Sequence, residues 1–263
     1  MSQPAPERAG TAGAEASTID TDQRSEELAR NLAIQRDRLA AACATAGRDP
    51  SEVTLVVVTK TYPVADVLRL AALGVRDIGE NRDQEAAPKA TAAAAAGADV
   101  RWHFVGQLQR NKCRSVVTYA DLVHSVDSVP LARALSAAAD RLRERPLDVL
   151  VQISIDGEPG RGGAIEGAED PEREVRAVVD EIASHDGTLR LRGVMAVAPV
   201  RWSASEAFDS LAEVAAWIRA DHPAATMISA GMSVDLEEAV AAGATHVRLG
   251  SSILGNRLPP AVA

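Results

Sequence analysis

The sequence predicts an α/β fold: a single (β/α)8 TIM-type barrel with an extra N-terminal helix. Three observations carry this expectation. Eight short β-like runs alternate with helical stretches, which implies right-handed βαβ units and a parallel sheet. Several runs are nearly continuous in Val, Ile and Leu, as strands buried on both faces should be. The chain has 263 residues, a length that suits eight such units in one barrel. A doubly wound open sheet is the alternative that the same units could build.

Residues 1–20 are mostly Ala, Gly, Ser, Pro and Glu, with almost no large apolar side chain. Such a segment cannot offset its ordering entropy and is expected to be a disordered tail, leaving residues 21–263 for the barrel. A capping signal at Asp20–Asp22 opens a helix on which Leu28, Leu32, Leu39 and Cys43 recur at helical spacing, stopped by Gly47 and Pro50. The strand-like runs are then Thr54–Lys60, Arg76–Glu80, Val100–Gly106 and Leu122–Asp127. Leu147–Ser154, Leu191–Val197, Met227–Gly231 and His246–Ser251 complete the eight. Helical patterns between them include Val64–Leu73, Leu131–Arg143, Glu172–Ala183 and Glu206–Ala220. The alanine-rich stretch Ala90–Ala98 reads as helix surface and connection.

Composition removes several classes of function. With 28 basic and 37 acidic residues the net charge is −9, which argues against a broad nucleic-acid interface but leaves room for a small anion site. Cys43 and Cys113 stand far apart and form no CxxC, so neither a zinc knuckle nor a disulfide framework is expected. No apolar run approaches the roughly eighteen residues of a membrane span. A basic segment followed by an apolar one is missing at the N-terminus, so no export signal is read. The expectation is a soluble, cytoplasmic monomer that binds neither nucleic acid nor membrane.

Of the 28 basic residues only Lys60, Lys89 and Lys112 are lysine, so a lysine at the end of a buried strand stands out. Lys60 follows Leu55, Val56, Val57, Val58 and Thr59, at the strand end where barrels keep their chemistry. Desolvation there would lower the pKa of its ammonium and expose an amine suited to Schiff-base chemistry. A lysine snorkelling to solvent is the plain alternative. The last two strands run into Ser229-Ala230-Gly231-Met232-Ser233 and Arg248-Leu249-Gly250-Ser251-Ser252. Small residues at these two loops suit a phosphate cradle, although Ser233 as an N-cap and Gly250 as a turn residue would also explain them. Arg248, in an otherwise apolar strand, asks for a buried partner.

Other motifs are weaker. Gly157, Gly160, Gly162 and Gly163 fit no phosphate-loop pattern and mark a mobile lid or turn. His103 and His124 lie in strand-like runs without a metal-ligand constellation, so no metal is expected and each reads as a hydrogen-bonded structural residue. Arg110, Lys112 and Arg114 read as a solvated helix face.

Longer motifs carry a resemblance. VVVTKTYP around Lys60, Gly79-Glu80-Asn81 followed by Gln84-Glu85, WHFVGQLQRNK (Trp102–Lys112) and HSVDS (His124–Ser128) occur in order. LRGVMAVAP (Leu191–Pro199), SAGMSVD (Ser229–Asp235) and VRLGSSILGNR (Val247–Arg257) follow. Over residues 22 to 257 the chain resembles the pyridoxal phosphate homeostasis proteins, which are similar to the barrel domain of alanine racemase standing alone. The resemblance implies a protein that binds, buffers and delivers pyridoxal 5′-phosphate (PLP) without established turnover. It implies that Lys60 holds PLP as an internal aldimine, with Ser229, Ser233, Gly250 and Ser251 contacting or bordering the phosphate. Arg248 would face the pyridine nitrogen, Met195 would lie beside the ring, and Asn81 would order the phenolic side. The implied partners are PLP, related B6 vitamers and apo-enzymes that need PLP. The chain departs from the family at Ala230, where methionine is common, at Arg161-Gly162-Gly163, and at Arg82-Asp83.

An arginine at the pyridine nitrogen stays protonated and leaves PLP a poor electron sink. A racemase also needs a second acid/base, usually a tyrosine from another domain. Here only Tyr62 and Tyr119 are present, and the six residues from Leu258 on leave no room for that domain. These features favour a holder of PLP over the alternative, a PLP-dependent racemase or decarboxylase-like enzyme.

Overall fold

The β-branched run at Thr54–Val58 forms the first strand, β1, and the valines at its centre are fully buried. Seven more strands follow: β2 (Asp77–Glu80), β3 (Arg101–Phe104), β4 (Leu122–Val126), β5 (Leu147–Gln152), β6 (Leu189–Met195), β7 (Met227–Ser229) and β8 (His246–Leu249). The structure, a computed structural model, describes residues 12–158 and 162–255. All eight strands pair in parallel in sequence order, and β8 returns to β1 with Val56 opposite Arg248 and Val57 opposite Leu249. That last pairing closes the barrel and excludes the open doubly wound sheet. Seven of the expected strand runs contain one of these strands, shortened at one or both ends, while β6 begins at Leu189, two residues ahead of the expected Leu191, and ends at Met195.

Helices cover the outside of the barrel. The first, α1, spans Ala12–Thr45, so it begins ahead of the capping signal at Asp20–Asp22. Alanine has the strongest helix propensity, so the Ala-rich segment before that signal can continue the helix without burying a large side chain. The expected tail at residues 1–20 is therefore helical from Ala12 onward, and residues 1–11 lie outside the described residues. The remaining helices are α2 (Val64–Ala72), α3 (Asp83–Ala95), α4 (Cys113–Tyr119), α5 (Val129–Leu142), α6 (Val175–Ala183), α7 (Ala204–Asp221), α8 (Leu236–Ala241) and α9 (Ser251–Leu254). Ala86, Ala90 and Ala93 are buried on α3, so part of the alanine-rich stretch packs inward; its small side chains admit close packing.

Helix α1 does more than cap the barrel. Leu28, Leu32, Leu39 and Cys43 are buried together with Leu236, Ile253 and Leu254 from the last two βα units. Its polar side chains hold the loops there: Asn31 donates to Ile253 O (2.9 Å), and Arg38 donates to Ser233 O (2.7 Å) and to Glu237 (2.6 Å). The added helix thus braces both loops in which the sequence places an anion cradle.

The barrel interior departs from the usual filling of Val, Ile and Leu. One side is apolar, with Leu122, Leu150, Met195 and Met227 packed together. The other side holds Asp77, His103, His124, Ser229, His246 and Arg248, all buried. His124 on β4 contacts Ser229 on β7, which is possible only across the barrel axis because those strands are not neighbours.

Candidate functional site

A cavity of about 610 Å³ opens at the C-terminal ends of the strands. Lys60, Asn81, Met195, Ser233, Arg248, Gly250 and Ser251 line it, together with Val58, Thr61, Tyr62, Gly106 and Met232. Seven of the eight residues singled out in the sequence therefore meet in one space. A larger hollow of about 890 Å³ lies between the loops after β3, β4 and β5, but it holds no lysine. The smaller cavity is the better site because its mouth carries the amine and its floor carries a buried cation.

Lys60 does not sit inside a strand. β1 ends at Val58, and Lys60 lies in the turn that follows, exposed toward the cavity. The burial that the preceding apolar run suggested stops one residue earlier, at Thr59, which is fully buried. The turn itself is tightly held. Thr61 adopts φ 68°, a left-handed conformation that a β-branched residue avoids unless its surroundings enforce it. Glu85 accepts a hydrogen bond from the Thr61 N–H at 2.7 Å, and Tyr62 N–H donates to Thr59 O at 3.0 Å. Beneath the turn, Thr59 Oγ donates to Glu80 (2.6 Å), while Lys89 Nζ bonds both Thr59 O (2.9 Å) and Glu80 (2.7 Å). Burial raises the Glu80 carboxyl above its ordinary range, against the opposing pull of Lys89 and Thr59. Lys89 is thus committed to Glu80, and Lys112 faces Asp83 at 4.0 Å, so of the three lysines only Lys60 reaches the cavity.

Arg248 forms the floor. It is 6% exposed, and burial lowers its guanidinium from the ordinary range to about 10, with the charge of Asp235 opposing. The partner that the sequence demanded is not a carboxylate. Arg248 donates to Ser229 Oγ (2.6 Å) and to Ala196 O (2.8 Å). Ser229 is consequently displaced from its expected place at the phosphate: it is fully buried beneath Arg248 and also bonds His124 Nδ1 at 2.9 Å. Its hydroxyl is thus engaged by two side chains within the barrel.

The small-residue loops after β7 and β8 meet at the cavity. Ser233 Oγ bonds Ser252 Oγ at 3.1 Å, which ties loop seven to loop eight; Ser252 was not singled out in the sequence. Gly250 lies so close to β1 that an added Cβ would meet Val58 O at 3.2 Å, and Ser251 then opens α9. Gly106 is more constrained still, since a Cβ there would fall 2.1 Å from Asn81 O. Asn81 Oδ1 is buried at the cavity wall without a hydrogen-bond partner among the described residues. An amide left so is costly unless a ligand satisfies it. Together the orphaned amide, the exposed amine, the buried arginine and the hydroxyl-rich loops fit a ligand with an aldehyde, a polar aromatic ring and an anionic tail.

The described part of the glycine loop, whose composition suggested a mobile lid or a turn, is anchored. Ala164 N–H donates to Gln152 O and Ser154 N–H to Ala164 O, and Gly163 packs where a Cβ would meet Ser154 N at 2.4 Å. Gly160 and Arg161 lie outside the described residues. His103 and His124 are buried and hydrogen-bonded, as expected of structural residues, and no metal-ligating cluster occurs among the described residues.

Comparison with known proteins identifies the family. The family described as alanine racemase, N-terminal domain, matches residues 31–257. The Mycobacterium leprae pyridoxal phosphate homeostasis protein is 42% identical over 244 residues, covering 88% of this chain and 93% of that protein. Its Escherichia coli counterpart is 37% identical over 236 residues, covering 88% and 97%. PipY of Synechococcus elongatus, solved with PLP bound, is 33% identical with a TM-score of 0.72, covering 87% of this chain and all of that one. Alanine racemase of Corynebacterium glutamicum is 13% identical with a TM-score of 0.62, covering 91% of this chain and 63% of that one, a likeness of fold alone.

Proposed function

The chain belongs to the pyridoxal phosphate homeostasis proteins, within the alanine racemase N-terminal domain family, and from that premise we propose that it binds, buffers and delivers PLP without turnover of its own. The observation that carries this reading is the meeting of Lys60, Arg248 and the Ser233–Ser252 loops in one cavity. When bound, PLP supplies an aldehyde that condenses with a primary amine and an aromatic ring that can withdraw electrons.

The residues of this chain divide the work. Lys60 presents the amine from a turn held by Glu85 and Lys89. Ser233, Gly250, Ser251 and Ser252 would hold the phosphate, since small residues let their N–H and hydroxyl groups approach closely. Met195, at the cavity wall, would lie beside the ring, and Asn81, whose buried amide oxygen lacks a partner among the described residues, would hydrogen-bond on its phenolic side. Arg248, remaining cationic near neutral pH, would donate to the ring nitrogen and so favour its unprotonated form. Such an arrangement would weaken electron withdrawal by the ring and favour holding the cofactor over breaking bonds on it. Neither tyrosine offers a ready second acid/base. Tyr62 donates its hydroxyl to Gly255 O, and burial pushes the Tyr119 hydroxyl, beside Asp83, well up.

We place this activity in the cytoplasm, in a monomer, with apo-enzymes that need PLP as recipients. No helix among the described residues is long and apolar enough to cross a membrane, which accords with that placement. The test is to mix purified protein with PLP, reduce with borohydride and map the modified lysine. The label is expected on Lys60 and is expected to vanish in Lys60→Ala. A label on Lys89 or Lys112, or none, would overturn the reading.

A further inference from the structure

Arg248 poses an electrostatic problem that the charge of Asp235, which offsets only part of the effect of burial, does not solve. A guanidinium buried to 6% exposure makes its side-chain hydrogen bonds to a neutral hydroxyl and a carbonyl, with no carboxylate among them. A buried charge normally requires compensation. A carboxylate does stand at the far end of a continuous hydrogen-bonded row through the barrel. Arg248 bonds Ser229 Oγ (2.6 Å), which bonds His124 Nδ1 (2.9 Å). His124 Nε2 bonds His103 Nδ1 (2.9 Å), and His103 Nε2 bonds Asp77 Oδ1 (2.9 Å). Asp77 is the first residue of β2, at the N-terminal mouth of the barrel, where Arg101 also pairs with it at 2.8 Å.

With Asp77 ionised and both rings neutral, the carboxylate end fixes the direction of every link, because a carboxylate can only accept while arginine can only donate. Ser229 Oγ then accepts from Arg248 and turns its own hydrogen to His124 Nδ1. His124 must then carry its proton on Nε2 and donate to His103 Nδ1, and His103 in turn donates from Nε2 to Asp77. With both rings neutral, one arrangement satisfies all four links. Burial holds His124 well below its ordinary range, which accords with a neutral ring.

Resting on the reading that Arg248 contacts the cofactor ring, we infer that Asp77, His103, His124 and Ser229 form a one-way hydrogen-bond relay that positions Arg248 and carries the counter-charge of Asp77 to it along the barrel axis. Asp77, His103 and His124 are positioning residues: they touch Arg248 only through Ser229. In such a row each bond polarises the next, so a charge removed at the N-terminal mouth weakens the donor at the cofactor floor.

Two measurements test this on the full chain. The first is nitrogen NMR of the histidine rings in ligand-free protein near neutral pH. Both His103 and His124 should be neutral, with the proton on Nε2; an imidazolium or an Nδ1–H form at either ring overturns the relay. This outcome does not depend on PLP binding. The second compares Asp77→Asn with the unaltered chain, using PLP and a deaza analogue in which C–H replaces the ring nitrogen. Asp77→Asn should weaken PLP about tenfold, the worth of one charge-assisted hydrogen bond, and leave the analogue unchanged. Equal loss for both ligands, or none for either, overturns the control of the ring contact. Should the unaltered protein take no label on Lys60, the functional reading fails, while the ring spectra still decide the relay.

Discussion

Acid should destabilise this protein through its buried histidines, and His246 lets the effect be sized. His246 lies 8% exposed in the barrel interior, with ring centroids of His103 and His124 at 6.1 and 6.3 Å. Burial lowers its ring from 6.5 to about 4, with the charges of Arg101 and Arg248 acting the same way and Asp77 opposing. The unfolded ring takes a proton as pH falls through 6.5, whereas the folded ring refuses it until about 4. Stability is therefore full above 6.5 and declines through that window, by about 1.4 kcal/mol per pH unit, or about 3 kcal/mol in all. His124, buried and lowered well below 6.5, adds to the decline. Glu80 and Asp148 act oppositely: burial raises both carboxyls, so the folded form takes their protons first and gains stability as pH falls. Only a difference isolates the histidine. Urea unfolding of the unaltered chain and of His246→Gln, from about pH 7.5 to about pH 5, should show the unaltered chain losing about 2 kcal/mol more than the variant. A gap that stays within about 0.5 kcal/mol across that range would refute the reasoning.

Three further perturbations follow from the site. Lys89→Ala leaves the fully buried Glu80 without its cation and should cost about 3–5 kcal/mol near neutral pH, read by urea unfolding; Glu80→Gln in the same chain should recover part of it. Gly106→Ala drives a Cβ into Asn81 O and should cost about 1–3 kcal/mol and weaken PLP binding, whereas Gly97→Ser, in open space though at positive φ, should leave the cofactor affinity unchanged. Thr61→Gly removes the left-handed penalty of about 1–2 kcal/mol, so thermal stability should hold or rise while capture of PLP by Lys60, followed by stopped-flow absorbance, slows because the turn is less preorganised. Unchanged capture in that variant would show that the strain at Thr61 plays no part in presenting the amine.

Much of this molecule follows from residue order alone. Alternating apolar strands and amphipathic helices specify eight parallel units, because burial on both faces of a strand demands a particular pattern of side chains. The scarcity of lysine, together with small residues at the ends of β7 and β8, pointed to the cavity, since loops after barrel strands can only gather at one end. Closure of the sheet, by contrast, is a matter of β8 finding β1 in register, and no local pattern contains that pairing. The exposed turn around Lys60 and its fastening by Glu85 and Lys89 also depend on residues brought together from α3 and β2.

The barrel interior lies between these cases. A period-two alternation of polar residues stands at Arg101/His103 and His246/Arg248, each set against apolar neighbours, and it marks the face that His103, His246 and Arg248 turn inward. What the chain order does not contain is the distance across the axis. Ser229 looked like a phosphate ligand because it adjoins the loop, yet curvature of the closed sheet sets it beneath Arg248 and within reach of His124, 105 positions away. Side-chain identity follows from sequence, but which polar groups meet inside a barrel is set by strand tilt and register, and these exist only once the sheet has closed.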